Sequence, residues 1–110
     1  MYHAHVYFDA EQILIAERFR QQIAAERRDV LVVFGLVPRR VGPHLKPMFE
    51  LHFRDNQQQL IEWLDAQRGP LSVLIHPVSG DDPDDHQAHN IRWLGEPLGL
   101  DRTIFRNIRE

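Results

Sequence analysis

Two segments of the chain alternate strictly between core-type side chains and a second set that carries histidines, and this pattern constrains the fold most. In Tyr2–Phe8 one set is Ala4, Val6 and Phe8, and the other set is His3, His5 and Tyr7. In Met48–Arg54 one set is Phe49, Leu51 and Phe53, and the other set is Met48, Glu50 and His52. Because successive side chains of a strand point to opposite faces of a sheet, both segments predict strands with one face against a core and one polar face.

Capping residues, turn residues and apolar runs indicate the remaining elements. Asp9 is followed three residues later by Gln12, which is a capping-box pattern for a helix start. A run rich in Val, Leu and Ile that is bounded by glycine or proline is typical of a buried strand. In chain order, the expected elements are strands at 2–8, 29–37, 48–54 and 71–76, with one helix from Asp9 to about Arg27 and another from Asp55 to Gly69.

The order of these elements, βαββαβ, predicts an α+β fold of the ferredoxin-like type, in which two helices cover one face of an antiparallel sheet. A short C-terminal helix from Asp84 to about Trp93 and a tail at 98–108 are expected to follow. The strand at 29–37 shows little alternation, so we expect it to be buried on both faces or covered by a partner subunit. We expect residues 1–110 to form a single domain.

Composition excludes several classes of function. The chain has no cysteine, so disulfides, iron–sulfur clusters and thiol nucleophiles are excluded. Its formal net charge of −3 argues against nucleic acid or an anionic membrane as a partner. No apolar stretch approaches the roughly 18 residues that span a bilayer, and we expect a cytoplasmic location. Seven histidines are a high number for 110 residues, and histidine is the commonest metal ligand.

In the predicted topology the strands at 2–8 and 48–54 are central neighbours, and the strand at 71–76 lies beside the first. Burying imidazole or carboxylate groups without partners costs about 1–3 kcal/mol per polar atom, so a polar cluster on one face needs a reason. Imidazoles with one carboxylate suit non-haem Fe(II) or Zn, whereas a wet open face or a polar dimer interface is the alternative. Parity places these side chains on the face opposite the helices: His3, His5, Tyr7, Glu50, His52, Ser72 and His76.

Several short motifs, taken in order, resemble the DOPA 4,5-dioxygenase family in its small fungal and bacterial form. The resemblance covers the chain from Tyr2 to about Leu100. It implies a dimeric ferredoxin-like fold and extradiol cleavage of a catechol ring such as that of L-DOPA. The motifs are His3-Ala-His5-Val-Tyr-Phe-Asp9, Gly42-Pro-His44, Met48-Phe-Glu50, Leu-Ile-His76-Pro and Gly80-Asp-Asp-Pro-Asp-Asp-His86 with Trp93-Leu-Gly95.

The resemblance also implies roles for individual side chains. Three ligands drawn from His5, His44, His76 and Glu50 are expected to hold Fe(II), with Zn or another divalent metal as alternatives. A neighbouring histidine, His52 or His3, is expected to take the catechol proton and return it during ring opening. The expected partners are a small catechol, O2 and a second copy of the chain. The residues expected to contact the substrate are Tyr7, Ser72 and His86.

Two other functions remain open at this point. The first is a dimeric ferredoxin-like module that binds a small molecule or a metal without turnover. The second is a structural role in which the open sheet face is an interface between two chains. These alternatives are separable, because only a dioxygenase consumes O2 with a catechol, whereas a pure interface predicts that alanine at His3, His5 or His52 weakens a dimer and leaves metal binding unchanged.

Overall fold

The computed structural model describes residues 1–40, 42–79, 85 and 90–101. The elements in chain order are β1 (Tyr2–Tyr7), α1 (Ile13–Glu26), β2 (Val30–Val33), β3 (Met48–Phe53), α2 (Leu60–Gln67), β4 (Ser72–Pro77) and β5 (Arg92–Leu94). The five strands form one sheet in the order β2-β3-β1-β4-β5, and each neighbouring pair is antiparallel. The first four strands and the two helices confirm the predicted ferredoxin-like order.

The hydrophobic core lies between the helices and the face of the sheet that alternation predicts. Helix α1 contributes a stripe at helical spacing, made of Ala16, Phe19 and Ile23. Helix α2 contributes Leu60 and Leu64. Both stripes pack against the fully buried apolar sets of the two central strands, which are Ala4, Val6, Phe49, Leu51 and Phe53.

Helix α1 begins where the capping pattern predicts. The backbone N–H of Asp9 donates to Gln12 Oε1 at 2.8 Å, and a single 3₁₀ turn at Ala10–Gln12 leads into the α-helix. The helix ends at Glu26, one residue before the predicted end. Within the described residues, no helix combines the length and the apolar character that crossing a lipid bilayer requires.

Helix α2 begins later than predicted, and the reason lies in two adjacent side chains. Asp55 is the predicted cap, but Asp55 Oδ1 accepts from the Gln57 N–H at 3.0 Å and so closes a turn. The side chain of Asn56 performs the capping, because Asn56 Oδ1 accepts from the Ile61 N–H at 2.8 Å. The α-helix therefore starts at Leu60. The predicted start at Asp55 is wrong, because the helix begins more than one turn later.

Strand β2 departs from the prediction that it is buried on both faces. It is shorter than the predicted segment 29–37, and it lies at the edge of the sheet beside β3. Leu31 is 50% exposed and Val32 is also exposed. Within a single chain Leu31 and Val32 are therefore open to solvent, whereas Val30 and Val33 pack against the core, and cover from a partner subunit stays a prediction.

The C-terminal region contains a strand at the predicted end of the third helix. Arg92–Leu94 forms β5 and pairs with Val73–Ile75 of β4, so the prediction of helix as far as Trp93 is wrong. An added strand pairs the free edge of β4 and places neighbouring side chains on opposite faces. Asp85 is helical, and the rest of the predicted helix start, at 80–84 and 86–89, lies outside the described residues.

The core makes a direct prediction about stability. Replacing the fully buried Leu51 with alanine should lower the free energy of unfolding by about 2–5 kcal/mol, since it removes packed atoms and leaves a cavity. Leu14 on α1 is the control, because it is 71% exposed and its replacement with alanine should change this free energy by about 0.5 kcal/mol or less. Urea unfolding followed by circular dichroism measures both. Equal effects of the two substitutions would contradict the assigned core.

Candidate metal centre

The register of the sheet brings the predicted polar side chains together. In the pairing of β1 with β3, His3 is opposite His52 and His5 is opposite Glu50. In the pairing of β1 with β4, His3 is opposite His76. Since these positions have the same parity, all five side chains lie on the sheet face that the helices leave open.

The centre of this face is a pair of buried imidazoles that point at each other. His5 and His76 are 3% and 2% exposed, and their Nε2 atoms lie 2.9 Å apart. His76 Nδ1 lies 2.8 Å from the carbonyl oxygen of Pro77. A carbonyl oxygen can only accept a hydrogen bond, so His76 Nδ1 carries the proton of the neutral ring. The lone pair of His76 is consequently on Nε2, facing His5.

His5 has a related arrangement, in which its outer nitrogen makes an ion-pair contact in place of a hydrogen bond. Its Nδ1 atom lies 3.3 Å from Glu50 Oε1, and a negatively charged carboxylate favours a proton on that nitrogen. The neutral ring then also presents its lone pair through Nε2. Two lone pairs 2.9 Å apart repel each other unless a cation, either a proton or a metal ion, lies between them. Metal-binding histidines typically have this form, with the outer ring N–H bonded to a carboxylate or carbonyl.

His3 completes a group that could hold a metal ion. The candidate ligand atoms of His3, His5 and His76 all lie within 4.8 Å of one another. The His3 ring stands at a steep angle to the other two, with interplanar angles of 77° to His5 and 72° to His76. Three imidazoles from two adjacent strands therefore surround one point on the open face. Imidazole suits Fe, Zn, Cu and Ni.

A second group on the same face shares His3 and consists otherwise of Glu50 and His52. His52 Nε2 lies 2.6 Å from Glu50 Oε2, so the carboxylate has one oxygen on His52 and the other on His5. The His3 and His52 rings are nearly parallel, with centroids 3.6 Å apart. Because a metal ion binds in the plane of an imidazole ring, two parallel stacked rings are poorly placed to share one ion. This geometry favours the three-histidine group.

His44, the remaining predicted ligand, is bonded to Tyr7. The Tyr7 hydroxyl lies 2.6 Å from His44 Nδ1, and the two residues are 2% and 4% exposed. Burial raises the pKa of the Tyr7 phenol above its ordinary value, and the negative charge of Glu50 raises this pKa further. The His44 and His5 ring centroids are 4.1 Å apart. His44 therefore borders the centre, although neither metal-type group found among the described residues includes it.

The open face also has an apolar part that sequence reasoning missed. Tyr7, Met48 and Leu74 form a small buried cluster on this face, which we call the tail cluster. Residues from the C-terminal part of the chain pack against it: Ile91, Trp93, Leu98 and Leu100. In the sequence, the two leucines at alternate positions, Leu98 and Leu100, could have indicated that the tail packs on this face. Of the residues predicted to contact substrate, Tyr7 is in this cluster, Ser72 is buried opposite it on β4, and His86 lies outside the described residues.

The amino-acid sequence of this chain matches a known protein family. Residues 2–104 match the sequence profile described as the Dopa 4,5-dioxygenase family. The chain belongs to the Dopa 4,5-dioxygenase family. The match spans β1 to β5 and includes every histidine of the two metal-type groups, so the resemblance drawn from the short motifs is confirmed.

Three known proteins are similar to this member of the Dopa 4,5-dioxygenase family. It is 31% identical over 117 residues to an uncharacterized 21.2 kDa protein of Botryotinia fuckeliana, covering 96% of this chain and 63% of the relative. It is 28% identical over 109 residues to a DOPA 4,5-dioxygenase of Amanita muscaria, covering 90% of this chain and 47% of the relative. The chain thus spans about half to two thirds of the length of these two relatives.

The third relative is a crystal structure from Nostoc punctiforme, described as that of a candidate dioxygenase. It superposes with a TM-score of 0.86 at 34% identity, and the match covers 97% of this chain and 91% of that one. This similarity supports the same ferredoxin-like arrangement for both proteins.

The two metal-type groups of this family member predict different effects of substitution. If the three-histidine group holds the ion, His76→Ala should abolish binding of Co(II), because it removes one of three ligands, whereas His52→Ala should retain it. Calorimetric titration with Co(II) and the visible spectrum of the bound ion measure both effects. Binding that survives His76→Ala and disappears in His52→Ala would assign the ion to the group of His3, Glu50 and His52 instead.

Proposed function

We propose that the chain is an extradiol ring-cleaving dioxygenase that acts on a catechol, such as L-DOPA or a related compound, with a histidine-bound non-haem metal and O2. The observation that carries this proposal is the buried His5–His76 pair, whose outer nitrogens face Glu50 and the Pro77 carbonyl so that both Nε2 atoms meet at one point. Membership of the Dopa 4,5-dioxygenase family and the name of the Amanita muscaria relative support the substrate class.

We propose Fe(II) as the metal and His3, His5 and His76 as its ligands. When bound, Fe(II) supplies a Lewis acid that favours the deprotonated catechol and a redox centre through which O2 can react with the aromatic ring. Three protein ligands leave other coordination positions open, which is the arrangement that substrate binding requires. Zn or another divalent ion would fit the same donor set, but Zn(II) has no redox chemistry to supply.

Glu50 has a positioning role in this proposal. Its Oε1 atom lies against His5 Nδ1 and fixes the orientation of that ring, while its Oε2 atom lies 2.6 Å from His52 Nε2. From the sequence, Glu50 was expected to be a metal ligand. In this proposal it contacts the ligand His5 and does not bind the ion itself. Outer partners of this type raise the basicity of the histidine that they contact.

His52 is the proposed acid–base residue. It is more exposed than His5 and lies at the solvent side of the cluster, where an entering catechol hydroxyl can reach it. A catechol must release a proton as it becomes a chelating anion, and a histidine titrates in the range where it can accept that proton and later return it. The adjacent carboxylate of Glu50, whose Oε2 atom lies 2.6 Å from His52 Nε2, holds this imidazole in place.

The tail cluster is the proposed support for the aromatic ring. Trp93 lies beside Tyr7, with ring centroids 5.7 Å apart, and Leu98 and Leu100 extend the apolar surface. Ligand sites typically combine such an apolar wall with a few polar groups that fix orientation. Ser72 is paired with Tyr7 in the sheet and is on the strand that also carries His76.

Oxygen consumption tests the proposed activity. Protein loaded anaerobically with Fe(II) should consume O2 when it is mixed with a catechol from a panel that includes L-DOPA and caffeate, and a new visible absorbance should report ring opening. The matched variant Glu50→Gln keeps the shape of the side chain and should lower activity or metal affinity by about 10- to 100-fold. Tight metal binding without oxygen uptake for any catechol would favour a binding module without turnover.

We also propose that two copies of the chain associate through β2. This strand lies at the edge of the sheet, and three apolar side chains on and after it are exposed: Leu31, Val32 and Phe34. An exposed strand edge with apolar side chains is a ready surface for pairing with another chain. Phe34 also contacts His52, with ring centroids 5.0 Å apart, so a partner at this edge would lie close to the metal centre.

Substitution at the edge strand tests the dimer. Leu31→Asp should convert a dimer into a monomer, because the introduced carboxylate would have to be buried between two chains. Leu14→Asp is the matched control, since it introduces the same charge at another exposed apolar position, on α1. Light scattering coupled to size-exclusion chromatography measures the mass of both variants. A dimer that survives Leu31→Asp but not Leu14→Asp would place the interface on α1.

A further inference from the structure

The bond between Tyr7 and His44 defines the protonation of His44. Both side chains are buried, and their contact of 2.6 Å joins the phenol oxygen to Nδ1 of the imidazole. Within the described part of the chain, His44 Nδ1 is the hydrogen-bond acceptor that the Tyr7 hydroxyl reaches. A buried hydroxyl that does not donate costs about 1–3 kcal/mol, so Tyr7 donates to His44.

A hydrogen bond donated by the Tyr7 hydroxyl to His44 Nδ1 is incompatible with metal binding by His44. If Nδ1 accepts the proton of Tyr7, the neutral ring carries its own proton on Nε2, and no lone pair is left for a metal. A ligating His44 would need the opposite direction, with Nδ1–H donating to the phenol oxygen and the phenol proton turned away from it. His44 can therefore be a hydrogen-bond donor through Nε2–H or a metal ligand through the Nε2 lone pair, but not both at once.

We propose that Tyr7 is a positioning residue that holds His44 in the Nε2–H tautomer, and that His44 donates a hydrogen bond to an oxygen atom of the bound catechol instead of binding the metal. This inference rests on the proposed function for the identity of the substrate. The His44 ring centroid is 4.1 Å from that of His5, a member of the three-histidine group, so a catechol bound at that group would lie next to His44. A preorganised donor at that position stabilises negative charge on the catechol oxygen.

The position of His44 is held from the other side by the C-terminal tail. The backbone N–H of Asp101 donates to the carbonyl oxygen of Pro43, the residue before His44, at 2.7 Å. The preceding residue Leu100 packs on the tail cluster. The His44 segment is thus held both by Tyr7 and by the tail, which is what a hydrogen-bond donor with a fixed direction requires.

The experiment uses the full chain loaded with Zn(II), so that no turnover is needed, and 4-nitrocatechol as the probe. In His44→Ala the affinity for Zn(II) should fall by less than the roughly 10- to 100-fold that removal of an outer partner of a metal ligand costs, because His44 does not bind the ion in this proposal. Binding of 4-nitrocatechol should weaken by about 10- to 100-fold, because a hydrogen bond to a charged oxygen is lost. His44→Gln should restore part of this affinity, since the amide also donates. His76→Ala is the matched variant that loses Zn(II).

Nitrogen NMR of the imidazoles supplies a second readout that is independent of any substrate. In the Zn(II)-loaded protein, His44 should show a protonated Nε2 and an unprotonated Nδ1, and Tyr7→Phe should shift this population towards the other tautomer. Loss of Zn(II) binding in His44→Ala, a protonated Nδ1 in the wild type, or 4-nitrocatechol binding that is absent or insensitive to His44 would each overturn the proposal. Absence of oxygen uptake by the Fe(II) protein would instead overturn the dioxygenase function and leave these readouts intact.

Discussion

The antiparallel pairing of β1 with β3 on one side and β4 on the other is the constraint on which the rest of the structure depends. It aligns His5 with Glu50 and His3 with both His52 and His76. A slip of one residue would turn the histidines into the core and the core residues out to solvent. The free energy that buries Val6, Phe49 and Leu51 therefore also sets the geometry of the candidate metal centre.

Electrostatic contacts help His5, His52 and His76 to tolerate this position. The Pro77 carbonyl satisfies one side of His76, and the carboxylate of Glu50 serves both His5 and His52. One negative charge is thus shared between a buried imidazole and a partly exposed one. In the apolar surroundings of a sheet this charge has a stronger effect than it would have in water, which makes Glu50 the residue that links the interior of the site to its solvent side.

Alternation in the sequence was sufficient to predict the central strands, their core faces and the polar face with its histidines. It was insufficient at the ends of elements, where local hydrogen bonds decide: Asn56 caps α2 although Asp55 has equal capping propensity, and Trp93 lies in a strand because β4 offers it a free edge. Alternation could not rank the candidate ligands either, because parity places Glu50 on the polar face without showing which atoms it contacts, and His44 lies in a loop to which parity does not apply. That information is in the partners of the outer ring nitrogens, which depend on tertiary contacts.

The two parts of the open face come from different regions of the chain. The histidines are on the central strands, whose register cannot change without unfolding the core, whereas much of the apolar wall comes from Trp93 and the tail residues Leu98 and Leu100. If this wall contacts the substrate as proposed, exchange of the short C-terminal segment would alter which aromatic compound fits while the positions of the histidines stayed unchanged. Such a division would let one small scaffold diversify in substrate without any change to its hydrophobic core.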